Sequence, residues 1–264
     1  MKIITGALYA TMIQMVFLIG PGVLLTLAMS RASSVFARQV CRAIGARGYL
    51  LIFGWLGTAV HELSHAVTAV IFRHKIHEIK LFQIKADSSR LGYIRHSYDK
   101  NSVFQRIGNL FIGIAPVFAG ALIIFACAKL LMPELAAVLS AGRPVLGVEG
   151  LVSAYVSAFF STLWALIDFD NFFRSAFYLF LNVLFSVGSA MTLSAADLKG
   201  AKSGFAVLFG VLLIVNVYRE ILYPFAFSYW MINFIFFIYN LLAGDLLLQI
   251  GIILVLKVLI KKKP

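Results

Sequence analysis

Charge is scarce in this chain, and acid is scarcer than base. Of its 264 residues only 13% are Asp, Glu, Lys or Arg, 11 acids against 23 Lys and Arg. Ordinary soluble domains carry about 25%, so a water-soluble globule is a poor match. Cysteine is almost absent. Cys41 and Cys127 stand alone and far apart, which excludes a disulfide framework and a paired-cysteine metal site. No internal repeat, no low-complexity linker and no polar block large enough for a second domain interrupts residues 1–264, so the chain reads as one domain. The basic excess lacks the aromatic interleaving of a nucleic-acid groove. It fits basic loops beside anionic lipid, which excludes nucleic acid as the expected partner and leaves the bilayer.

What the chain has instead is long apolar runs. The first, Ile3 to Met29, exceeds a signal-peptide core of ~7–15 residues and is expected to be a retained span, kinked at Gly20-Pro21-Gly22. Ser30 to Gly48 holds four arginines and no acid, as a membrane-surface helix or a basic loop. Further runs cover Tyr49–Phe72, Ile107–Met132, Phe172–Leu193, Phe205–Tyr218 and Leu222–Ile260, the last with an interruption at Gly244-Asp245. Leu151–Ile167 is apolar but short and reads as a span, a re-entrant piece or an interfacial helix, the last being the form that leaves six spans, and Pro133–Gly150 reads as a loop. The expected fold is an all-α polytopic membrane protein with about six transmembrane helices, seven or eight remaining open. The N-terminus, the polar stretch 73–106 and the C-terminal lysines are placed on the cytoplasmic side.

One run carries ionisable groups in its middle. His61-Glu62-Leu63-Ser64-His65 sits inside Tyr49–Phe72, which is long enough to cross a core of ~30 Å at ~1.5 Å per residue. On a helix, residues four apart share a face, so both imidazoles can bind one metal ion. Glu62 follows the first ligand and is placed as general base toward a metal-bound water, the H-E-x-x-H chemistry of zinc hydrolases. Ionisable groups at this depth cost ~2.5–3.5 kcal/mol each on insertion scales, which favours a functional role over two merely satisfied histidines.

The catalytic helix is expected over 49–73. A β-hairpin follows within 74–103, with strands Ile76–Lys85 and Leu91–His96 about a turn at Ala86–Arg90. His96 on the return strand is a possible substrate or oxyanion contact, because a hairpin can fold back over the metal. Asn109 in the next span is another. Asp168 and Asp170 read as helix N-terminal acids.

Catalytic zinc keeps three protein ligands and an open position. Few acids lie against apolar sequence: Asp197, Glu220 and Asp245. Asp197, between two spans in the region 194–204, is the best placed. Ser194-Ala195-Ala196-Asp197 also fits a helix-capping pattern, and the two roles are compatible.

The H-E-x-x-H inside a span, the hairpin with Gly92-Tyr93, Ala115-Pro116 and the later Asp197 together resemble the site-2 protease family of intramembrane zinc metalloproteases, in its compact bacterial form without a PDZ domain. The likeness covers 49–120 and 194–204. It implies Zn2+ held by His61, His65 and Asp197, with Glu62 as the catalytic base. It also implies a multi-pass protein of the bacterial inner membrane that cleaves membrane-embedded or membrane-proximal segments of other proteins. Two readings from other classes stand beside this metalloendopeptidase: a membrane zinc hydrolase of a lipid amide, and a non-catalytic membrane binding protein, against which the intact Glu62 argues. Substrate and oligomeric state stay open at this point.

Overall fold

The computed structural model describes residues 2–84, 91–140, 147–222 and 226–261. Helix dominates. α1 (Lys2–Tyr49) runs through a π-helical turn (Leu50–Gly54) into α2 (Trp55–Ile71). Strands β1 (Lys75–Lys80) and β2 (Tyr93–Ser97) form the one described sheet. Then come α3 (Val103–Leu131), α4 (Pro133–Ser140), α5 (Gly147–Leu166), a 3-10 turn (Phe169–Phe173), α6 (Ser175–Ala190), α7 (Ala195–Leu222) and α8 (Ala226–Lys261). Among the described residues, four helical stretches are long and apolar enough to cross a membrane: Ile3–Ile71, Val103–Leu131, Gly204–Leu222 and Phe237–Leu259. Their outer faces stay apolar. Leu24, Leu130 and Ile214 are each at least 70% exposed, an arrangement suited to lipid and costly in water.

The basic stretch after Met29 takes the helical one of its two expected forms, with a non-helical residue at Gly45 (φ 81°, ψ 160°), a conformation that glycine adopts without a Cβ clash. Other expectations change. Pro133–Ser140 is a helix, not a loop. Pro133 fits the first helical position, and buried Leu135, Ala136 and Leu139 pack it into the core. Gly244-Asp245 does not interrupt α8, because packing on both sides overrides the weak propensity of glycine. Asp168 does cap a helical turn, its Oδ1 accepting the Asp170 N–H at 3.2 Å. The expected turn at 86–90 and the last two lysines lie outside the described residues.

α2 sits between α3 and α6, while α1 packs along α8 and α7. Small residues permit these approaches. Gly57 of α2 lies against the Ser186 backbone carbonyl of α6, and Gly204 of α7 against the Leu110 side chain of α3, with no space for a Cβ at either. The π turn bonds Trp55 N–H to the Leu50 carbonyl, five residues back. The Ile52 carbonyl within it accepts from Asn182 Nδ2 at 3.1 Å and Ser186 Oγ at 3.4 Å, which ties the start of α2 to α6. The core proper gathers Met29, Ile124, Phe180, Leu184 and Leu242 from four helices.

The sheet is antiparallel, pairing Lys75 with Ser97 and Lys80 with Tyr93, with a bulge between Ile76 and Glu78. The strands are shorter than their sequence pattern, because β1 stops at Lys80, although Gln83 N–H still reaches the Leu91 carbonyl at 2.7 Å.

Candidate metal centre

His61 and His65 lie one turn apart on α2, and their Nε2 atoms are 3.1 Å from each other. Each ring is fixed from behind. His61 Nδ1 is 2.7 Å from the Ala190 carbonyl oxygen and His65 Nδ1 is 2.7 Å from that of Ile112. A carbonyl oxygen only accepts, so both Nδ1 atoms carry the proton and both Nε2 atoms present lone pairs.

The local sequence explains why these two carbonyls are available. Ala190 is the last residue of α6, where helix carbonyls lack an internal partner. Ile112 is mid-helix, but the residue four places on is Pro116, which has no N–H to offer. Histidines in α2 therefore satisfy carbonyls that α3 and α6 cannot satisfy themselves. This is the backing that metal-ligating histidines usually have.

Asp197 completes the group from the first turn of α7. Its Oδ1 is 3.7 Å from His65 Nε2. Its Oδ2 accepts the Ser194 N–H at 2.7 Å, while Ser194 Oγ accepts the Asp197 N–H at 3.2 Å. The two roles foreseen for Asp197, helix cap and inward-facing carboxylate, thus belong to its two oxygens. Gly113 of α3 permits this approach, since a Cβ there would lie 2.8 Å from the Asp197 carbonyl oxygen. Gly113 thus seats Asp197 in the fold.

The ligand atoms of His61, His65 and Asp197 all lie within 4.8 Å of one another and can hold a metal ion. A tetrahedral site with bonds of ~2.0–2.1 Å places ligand atoms about 3.3–3.4 Å apart. The 3.1 and 3.7 Å separations bracket that spacing. Two lone-pair nitrogens at 3.1 Å repel each other unless a cation or a proton lies between them.

These residues wall a cavity of about 810 Å³ together with Glu62. The hairpin lies directly on Glu62, because a Cβ at Gly92 would fall 2.8 Å from Glu62 Cγ. Asn109 and His96 both line the same space, so the structure brings together all six residues singled out from sequence. The other acids stand elsewhere. Glu220 pairs with Arg219 at 3.2 Å, and Asp245 accepts from Gln249 Nε2 at 2.8 Å. His74 is buried and contacts both His96 and the Gln105 carbonyl. Sequence reasoning missed the Ile112 carbonyl, although Pro116 four residues on was the available signal. No protein-family model, curated protein or solved structure matches this chain.

Proposed function

We propose that the protein is an intramembrane zinc metallopeptidase of the site-2 protease type. The observation that carries the reading is the convergence of two Nε2 lone pairs and one carboxylate oxygen on a cavity that also holds Glu62, within helices apolar enough to cross a membrane. Three such ligands leave the open position of a catalytic rather than a structural zinc. Nitrogen and carboxylate donors without cysteine suit zinc. Zinc, when bound, supplies a Lewis acid that polarises a carbonyl and acidifies water.

The chain's own residues do the rest. Glu62 takes the proton of the attacking water and delivers it to the leaving amine. Its stem is confined by Gly92, which limits the positions from which it can do so. Asn109 offers its amide as a donor toward the substrate carbonyl oxygen. The cavity lies under the hairpin and admits an extended segment, so a helical substrate has to unwind locally before its carbonyls are exposed. α1, α2, α3, α6, α7 and α8 are read as six crossings, with α5 at the interface. The substrate is then a membrane-embedded or membrane-proximal segment of another protein.

The test is zinc content and peptide hydrolysis of the detergent-purified protein. Wild type is expected to hold one zinc per chain and to cleave a transmembrane-peptide probe. Glu62→Gln should keep the zinc and lose cleavage, and Asp197→Ala should lose both. A wild type without zinc after reconstitution overturns the proposal. Cleavage of N-acyl lipid but not of peptide moves the substrate class to lipid amides.

A further inference from the structure

Leu91 and Tyr93 line the cavity, the Tyr93 hydroxyl donating to Glu78 Oε1 at 2.6 Å, and beside them Gly92, Ile94 and His96 complete the wall that the hairpin presents to it. Of the last three, only His96 carries a polar side chain, and its hydrogen-bonding state is set from outside the cavity. The chain of inference starts at His74, which is 5% exposed. Its Nε2 is 2.8 Å from the Gln105 carbonyl oxygen, which only accepts, so Nε2 carries the proton. His74 Nδ1 is then a lone pair. It lies 3.0 Å from His96 Nδ1, so the proton of that contact belongs to His96. The His96 nitrogen left over, Nε2, is a bare acceptor. The Tyr98 ring stacks on His74 at 5.3 Å and 21°, which holds the relay in register. Burial and the neighbouring His74 and His77 push the protonation of His96 below its ordinary range.

We infer that His96 is a substrate-recognition residue whose Nε2 accepts a hydrogen bond from a backbone N–H of the bound peptide, with His74 as the positioning residue that enforces the acceptor state. This rests on the peptidase reading and deepens it. An extended peptide offers N–H and C=O groups along its edges. His96 reads an N–H, while Asn109, whose side chain bonds to no described residue, is the donor for a C=O. Of the two contacts foreseen for His96, this assignment is the substrate contact and leaves the oxyanion contact to Asn109.

Two measurements test this. The first needs no substrate. In ¹⁵N-histidine spectra of the full-length zinc-loaded protein, His96 is expected as the Nδ1–H tautomer, and His74→Phe is expected to release it to the commoner Nε2–H form. An Nε2–H tautomer in wild type overturns the inference, whatever the substrate. The second uses a dileucyl hydroxamate and its singly N-methylated forms as probes. Methylation of one amide should weaken binding to wild type about 10-fold, in the range of a lost hydrogen bond. In His96→Phe that same methylation should have almost no effect, while the other amide behaves alike in both proteins. A methyl penalty unchanged in His96→Phe overturns the role of His96 and leaves the peptidase reading standing. Failure of the zinc-loaded wild type to bind the parent hydroxamate counts against both.

Discussion

Of the groups of polar side chains among the apolar helices, the one around His65 and the one around Asp245 make the sharpest contrast. In the first, both ring Nδ1 atoms and one carboxylate oxygen bond outward to the scaffold: His61 to Ala190, His65 to Ile112, Asp197 to Ser194. The atoms left over converge on an accessible cavity. In the second, Asp245 accepts from Gln249, and Gln249 Oε1 accepts from Ser33 Oγ at 3.2 Å. This chain joins α8 to α1, while Gly188 of α6 presses on the Asp245 carboxylate. Asp245 borders only a void of about 10 Å³, on the order of a single water, and its Oδ1 has no described partner. An ionisable residue in an apolar helix is therefore not in itself a ligand. What separates a site from a strut is whether the unused lone pairs meet each other in space that a ligand can enter.

The largest effect expected separates the two groups outright. His65→Ala removes a ligand and should lower zinc affinity by more than about 100-fold, the upper range for losing a mere supporting residue. Asp245→Asn, nearly isosteric, should leave zinc content at the wild-type level by elemental analysis. Parallel loss of zinc in both variants would break the distinction. Next in size is Gly188→Ala, whose methyl has to displace the Asp245 carboxylate. Overpacking of this kind costs about 1–3 kcal/mol. Thermal unfolding in detergent should show it, with Gly251→Ala, which has open space around it, unchanged or slightly more stable. Zinc affinity of the folded fraction should not move. The smallest is Ser194→Ala, which loses half of the reciprocal cap. It should cost ~0.5–2 kcal/mol in stability and about 10-fold in zinc affinity, linking a cap to a ligand in one measurement. A drop in stability with full zinc affinity would return Ser194 to a purely structural role.

The histidine pair was legible because its geometry is local: four residues on a helix give one face whatever the fold. The hairpin was legible for the same reason, through alternation, although its strand lengths were not. Asp197 was legible in sequence as cap and as candidate ligand, and only the fold showed Oδ2 on the Ser194 N–H and Oδ1 turned toward His65. The helix at Pro133–Ser140 was missed because its propensity signal is weak and its burial comes from other helices. Gly113 and Gly188 were not legible as special, since their meaning lies in the Asp197 carbonyl and the Asp245 carboxylate they face across the bundle. Pro116 is the intermediate case. Its position relative to Ile112 is in the sequence, but the ring that takes up the freed carbonyl comes from another helix.

The π turn at Leu50–Gly54 has a consequence for how the centre is aimed. A helix advances ~100° per residue, and a π turn accommodates one residue more than regular α geometry would. Everything downstream is thereby rotated as a unit relative to residues 46–49, the short helical piece that follows the break at Gly45. The turn works as a phase setting: the Ile52 carbonyl within it meets α6, and His61 and His65 beyond it still face Asp197. Removing a single residue there would leave both histidines on one face of α2, still four apart, and point that face at the wrong neighbour.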